Sequence, residues 1–380
     1  MHASFDEEKI SAFFLDILCD SSLFCKSKTL GQGLNQALNS SYSAGEIPNN
    51  TLNEISFSPG QASHWASVHQ VELLFYHQLY KKFGNNFTQG NSNVALCYFP
   101  KNEVNLSKYI TNRVLSLSAR CMHLHTQTEK ILELLASYKL SGIPLKGTVL
   151  SYLLYGSISL RDPGDIDILV PSDQYNRARK ILLEQGWKEK RAKGREHEFH
   201  GVFQKESIIL ELHDRFTLKQ FCFDWYTPKI WECSSTLYIN SKPIQIFKAE
   251  HNFIYMMVHL DASLSPRGLR VKWFCDLARF IKIHPELDWE YVYRVFVEFK
   301  RKRFFWFIML VLEKYFQCPR PQKLTQLENA LDQCAHIVNS FHPVFPDQKT
   351  PWLEYHRLLL NLRLRESLFH KARLISGYVF

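Results

Sequence analysis

The sequence predicts an α+β protein, a mixed sheet with flanking helices held between an N-terminal and a C-terminal helical unit. Helical spacing of apolar residues dominates before residue 140 and after residue 249, whereas short alternating segments fill the stretch between. Those segments are separated by Gly-, Pro- and Asp-containing turns, which mark strands and short helices. The expected units are a helical region over 1–140 (31–60 a loop), an α/β core over 141–248, and a basic helical domain over 249–380.

The elements follow in order. Ser4 and Glu7 form a capping box ahead of Ile10, Phe13, Phe14, Ile17 and Leu18. A second helix is predicted from Trp65 to Phe83, ending at Gly84. A longer one lies between Asn105 and Tyr138, with Val114, Leu115, Leu117, Met122, Ile131, Leu132 and Leu135 as its apolar side. Ile143-Pro144-Leu145 then leads to Lys146-Gly147-Thr148 and a helix that stops at Gly156. A turn at Arg161–Gly164 precedes a strand over Asp165–Val170, and a helix follows Pro171-Ser172-Asp173 and ends at Gly186. Further strands are expected near Trp187–Lys190, Glu198–Gln204 and Ser207–His213. A hairpin of Leu237–Ile239 and Ile244–Phe247 turns through Asn240 to Pro243.

Composition narrows the class. Hydrophobic residues are 46% and charged residues 22% of 380, which excludes wholesale disorder. The longest apolar run, Phe304 to Leu312, falls far short of the roughly 20 residues of a membrane helix. Asp6, Glu7 and Glu8 stand where a signal peptide needs basic residues, so a cytoplasmic protein is expected. The nine cysteines form no C-x-x-C pair, and free thiols are expected. The net charge of +9 is unevenly placed, for residues 291–380 hold 14 basic and 7 acidic side chains.

Asp165 and Asp167 alternate with Ile166, Ile168 and Val170, so in a strand both carboxylates face one side. Acids that close repel each other unless a cation neutralises them, and Mg2+ or Mn2+ suits oxygen ligands. The strand Ser207–His213 brings a third acid, Glu211. Lys146-Gly147-Thr148 sits between a strand and a helix, where backbone N–H groups can hold phosphates. Three acids opposite a phosphate-cradling turn are what two-metal phosphoryl or nucleotidyl transfer needs.

Leu145-Lys146-Gly147, Leu153-Leu154-Tyr155, Arg161 and Gly164-Asp165-Ile166-Asp167-Ile168-Leu169-Val170 resemble an uncharacterised branch of the polymerase β-type nucleotidyltransferases. Glu211-Leu212-His213 resembles the branch's acid-Leu-His-Trp strand, with Asp214 in place of Trp. His259 and Arg270–Ala278 resemble its C-terminal helical signature. The resemblance implies a minimal nucleotidyltransferase mixed sheet. It also implies Asp165, Asp167 and Glu211 as ligands of Mg2+ or Mn2+, with Glu211 also the general base. Gly147 and Thr148 would face the triphosphate of an NTP, with Lys146 near it. Arg161 would neutralise phosphate or tie its turn to the sheet, and Lys272 would reach nucleotide phosphate across the cleft. A nucleoside monophosphate would pass to a hydroxyl acceptor, whether RNA, protein or small molecule, with release of pyrophosphate.

Other signals rank lower. His197-Glu198-Phe199-His200 lacks the four-residue helical spacing of a zinc protease. Lys272 and Asp276 are spaced to pair along one helix. Lys300-Arg301-Lys302-Arg303 reads as a solvated helix face ahead of a buried one. The rival functions are a non-catalytic nucleotide- or partner-binding module on the same fold and, further behind, a D-x-D glycosyltransferase.

Overall fold

The computed structural model describes residues 66–67, 70–83, 106–162, 164–190, 200–216, 229–264, 270–325, 331–339 and 351–379. The expected helix at Ser4–Leu18, the 31–60 loop and His197-Glu198-Phe199 lie outside them. Helices α1 (Glu72–Phe83) and α2 (Leu106–Ser137) come first. Then follow β1 (Ile143–Pro144), α3 (Gly147–Tyr155), β2 (Ile166–Leu169), α4 (Tyr175–Glu184), β3 (Lys188–Glu189), β4 (His200–Lys205) and β5 (Ile208–His213). A short α5 (Lys229–Glu232) leads into the hairpin β6 (Ser234–Ile239) and β7 (Lys242–Phe247). The remaining described elements are helices: α6 (Ala249–Ser263), α7 (Val271–Ile283), α8 (Trp289–Glu298), α9 (Lys302–Phe316), α10 (Gln322–Thr325), α11 (Leu331–Asn339), α12 (Pro351–Leu364) and α13 (Leu368–Val379). This is an α+β fold with a mixed sheet.

The sheet runs β1-β2-β5-β4-β3. Among the described strands only β2 and β5 pair in parallel, and their register sets Asp167 beside Glu211. The period of two then sorts side chains to faces. Ile166, Ile168, Ile208, Leu210, Leu212 and Phe203 pack against α2 and α4 in one apolar layer. Asp167, Glu211 and His213 fall on the other face. A second, larger core joins α3 to α6, α7, α8 and α9 and includes Leu169.

Several expectations need correction. The helix expected from Trp65 is interrupted, because Gln70 takes φ of 55° and α1 starts afresh at Glu72. Leu115 and Met122, assigned to the apolar side of α2, are 59% and 60% exposed. The buried stripe of α2 runs instead through Cys121, Leu124, His125, Thr128, Ile131 and Leu135, and both side chains turn away from it. The hairpin turn is shorter than expected: Asn240 and Ser241 both have positive φ, as a two-residue turn demands, and Pro243 pairs with Tyr238.

The basic run before α9 is not a uniformly solvated face either. Arg301 is fully buried, with Nε 3.2 Å from Asp261 Oδ2 and Nη1 3.0 Å from His370 Nδ1. Arg365, also fully buried, reaches the same carboxylate oxygen at 3.6 Å and bonds Asn361 Oδ1 at 2.8 Å. Burying charge costs more than an exposed pair returns, so these contacts stabilise only while every member is present. Arg301→Met is expected to lower stability by about 3 kcal/mol, the usual penalty for stranding a buried partner. A urea midpoint unchanged from wild type would show that Asp261 does not depend on Arg301.

Candidate active site

The site forms at the open face of the β2–β5 pair. Asp167 is supplied by β2, Asp165 by the turn just before it, and Glu211 by β5. Carboxylate oxygens from all three lie within 4.8 Å of one another. The backbone N–H of Leu145 donates to Asp167 O at 3.0 Å, which brings the Lys146-Gly147 turn against the acids. Gly147 has φ of +68°, a conformation costly for any residue with a Cβ. It opens α3, whose first N–H groups lie beside the acids. A small open cleft is lined by Lys146, Gly147, Thr148, Asp165 and Asp167 from this side and Leu124 and Thr128 from α2.

Asp167 is the centre of the electrostatics. Lys146 Nζ stands 2.8 Å from its Oδ1 and His213 Nε2 3.2 Å from the same oxygen. Burial alone would raise the Asp167 carboxyl, but these two cationic neighbours hold it far below the usual carboxylate range. Lys146 is held above its usual range in return, against the opposing effect of burial, by Asp167. Among the described residues no cation stands as close to Asp165. Burial and the Asp167 charge push it up to about 6. Glu211 lies 3.5 Å from His213 and 3.8 Å from His200, and the His213 hydrogen bond lowers its carboxyl in spite of burial. Asp167 Oδ2 is buried without a hydrogen-bond partner among the described residues. A divalent ion ligated by the three carboxylates would satisfy that oxygen and relieve the Asp165–Asp167 repulsion, so the residues present fit such a group.

Other residues singled out from sequence fall less simply. Thr148 lies in the cleft wall, but its Oγ1 is engaged by His125 Nδ1 at 3.1 Å and its side chain is buried. Arg161 is buried in a contact with Asp276, Nε to Oδ2 at 2.7 Å, and Tyr155 donates to the other oxygen at 3.3 Å. It ties its turn to α7, not to the sheet. Lys272 and Asp276 therefore do not form the expected pair along α7. Lys272 Nζ donates to Gln70 Oε1 and to the carbonyl of Asp162 at 3.3 Å. Burial and the charges of Arg161, Arg270 and Lys146 lower its ammonium well below the usual value.

Three further contacts have no counterpart in the sequence pattern. Asp162 Oδ2 accepts from Glu72 N at 3.3 Å, capping α1, while Arg120 donates to Gly164 O at 3.2 Å from α2. Both pin the turn that presents Asp165. Tyr255 of α6 is buried close enough to Lys146, Asp167 and Glu211 to feel their charges. Capping partners ninety residues apart leave no local pattern to read.

A mixed sheet with a carboxylate trio beside a glycine turn at a helix start has the form of a nucleotidyl-transfer fold. Residues 56–317 match the family described as uncharacterised nucleotidyltransferase, and the chain belongs to that family. It is thus a nucleotidyltransferase by family. No curated protein matches the sequence. Among solved structures it is similar to the antibiotic-resistance factor ANT(2'')-Ia in solution, at 15% identity over 46% of this chain and 92% of that one, with a TM-score of 0.35. A crystal structure of ANT(2'')-Ia with adenylyl-2''-tobramycin gives 16% identity, 46% and 95% coverage and a TM-score of 0.34. An antigenic nucleotidyltransferase-like protein from Paracoccidioides brasiliensis gives 16%, 52% and 92%, and 0.31.

The raised Asp165 carboxyl carries a testable sign. A group whose folded pKa exceeds its unfolded value favours the fold below the unfolded value, and that benefit is lost as pH rises through the folded one. In chelator, stability is therefore expected to fall as pH rises from about 4 to about 6 through this group. Asp165→Asn should stabilise the metal-free protein at pH 7.5 by on the order of 2 kcal/mol and much less at pH 4. Thermal unfolding at the two pH values checks this, and an equal effect at both would refute it.

Proposed function

We propose that the chain transfers a nucleoside monophosphate from a nucleoside triphosphate to a hydroxyl acceptor at Asp165, Asp167 and Glu211. The observation that carries this reading is the convergence of the three carboxylates, with one Asp167 oxygen buried and unsatisfied. Asp165, Asp167 and Glu211 would hold Mg2+ or Mn2+, which supplies charge neutralisation and polarises the phosphate when bound.

The chain's own groups account for the remaining needs. Glu211, kept ionised by His213, accepts the acceptor hydroxyl's proton at a carboxylate oxygen. The acceptor oxygen bonds to the α-phosphorus, the bridge from α- to β-phosphate breaks, and pyrophosphate leaves. Gly147 lets the backbone approach the phosphates, and the N–H groups opening α3 complement their charge. Lys146 balances Asp167, and Lys272 contributes from α7. Arg161 acts by fixing the turn before Asp165 and not by touching phosphate.

The acceptor reading is a hydroxyl on an anionic molecule such as RNA. Residues 291–380 hold the surplus of basic side chains, and Arg363 is exposed with Lys371 and Arg373 partly so. Arg301 and Arg365 are spent internally on Asp261, so the surface is less cationic than the composition suggests.

Asp165→Asn and Asp167→Asn should each reduce pyrophosphate release from NTP and Mg2+ with acceptor by about 1,000-fold or more. A melting temperature no lower than wild type in Asp165→Asn would separate lost chemistry from lost folding, whereas Asp167→Asn strands Lys146 and is checked by native circular dichroism at the assay temperature; full activity in the double variant would sink the assignment. For RNA, binding should weaken by about 10-fold or more between roughly 50 and 200 mM salt. A flat salt response would point to a neutral acceptor.

A further inference from the structure

We propose that His200, Glu211 and His213 form a second metal site, for a transition-metal ion of the Zn2+ or Co2+ class, sharing Glu211 with the carboxylate trio. The β4–β5 register places His200 directly opposite His213, and Glu211 lies two residues before His213 on the same face. One ligand atom from each of the three falls within a common 4.8 Å. Glu211 Oε1 is 3.8 Å from His200 Nε2, and Oε2 is 3.5 Å from His213 Nε2. Ligand atoms about 2.0–2.2 Å from a tetrahedral ion stand about 3.4 Å apart, so both separations come close to the edges of such a shell. The imidazole centroids are 4.9 Å apart at 31°, which leaves both rings side by side along one edge of Glu211.

The donor set separates this site from the neighbouring one. Two imidazoles and one carboxylate suit Zn2+, Co2+ and related ions, whereas Mg2+ prefers oxygen ligands throughout. Both histidines are buried, and Glu211 is one-quarter exposed, so solvent or a small ligand can complete the shell from the Glu211 side. His213 also contacts Asp167, and ion binding would exchange that contact for coordination. The two trios meet at Glu211, whose two oxygens allow it to serve both.

The test uses the full-length protein without nucleotide, titrated with Co2+ alone and monitored by its visible d–d absorption, then with Zn2+ against a chromophoric chelator. Wild type should bind Co2+ with the intensified bands of a low-coordinate, nitrogen-containing shell. His200→Gln should weaken Co2+ and Zn2+ binding by at least about 10-fold. Asp165→Asn, which removes a ligand from the carboxylate trio alone, should keep the spectrum. Circular dichroism matching wild type would exclude misfolding in His200→Gln, and His213→Gln offers a second route to the same loss. Binding that survives both histidine variants, or that disappears in Asp165→Asn and not in His200→Gln, would overturn the site. Neither result bears on whether nucleotide is transferred, since that is read separately from pyrophosphate release.

Discussion

Placing Asp167 beside Glu211 across a parallel strand pair, with Asp165 two residues away, is the constraint on which the rest of the site depends. Parallel pairing fixes backbone register, so the acids cannot separate without breaking the ladder between β2 and β5. Their repulsion has to be met by cations from elsewhere. Lys146 and His213 meet it at Asp167, whereas burial and the Asp167 charge push the Asp165 carboxyl up, with no cation among the described residues standing as close to it. The uneven charging follows from where the cations are anchored: Lys146 precedes α3, which is held to β2 through Leu145, and its Nζ reaches only one of the two aspartates.

The turn that presents Asp165 is held from outside the sheet. Asp162 caps α1, Gly164 receives Arg120 from α2, Arg161 reaches Asp276 on α7, and the Asp162 carbonyl receives Lys272 from the same helix. The short distance from Arg161 to Asp165 thus carries contacts to three helices that are remote in sequence.

Much of this was legible because strand alternation is a local rule. Ile166, Ile168 and Asp167 sort to opposite faces from sequence alone, as do Leu210, Leu212 and Glu211, and the resemblance around Leu145–Val170 named the same acids. The partners of the charged helix residues were not legible. Lys272 and Asp276 are spaced to pair, yet Arg161 competes successfully for Asp276, because a buried guanidinium needs a carboxylate more than a lysine near a carbonyl does. Arg301 looked like one of four surface cations and is instead enclosed, since Asp261 on α6 is itself buried and must be neutralised where it sits. Leu115 and Met122 are apolar but fall off the buried stripe of α2, which passes through the neighbouring Cys121 and Leu124.

The buried ion pairs share a logic that bears on specificity more than on stability. Lys146–Asp167 joins α3 to the sheet, Arg161–Asp276 joins the acid-bearing turn to α7, and Arg301–Asp261 joins α9 to α6. Each pair of buried charges returns little net free energy over an apolar packing of equal volume. Each nevertheless excludes arrangements in which either partner is displaced, because a lone charge inside the core costs several kcal/mol. Apolar contacts in the large α3–α9 core are tolerant of small shifts, as Phe and Leu can repack. The charged contacts are not. The position of the acids relative to the helical body is therefore set by polar pairs threaded through a core whose hydrophobic packing supplies the stability but not the register.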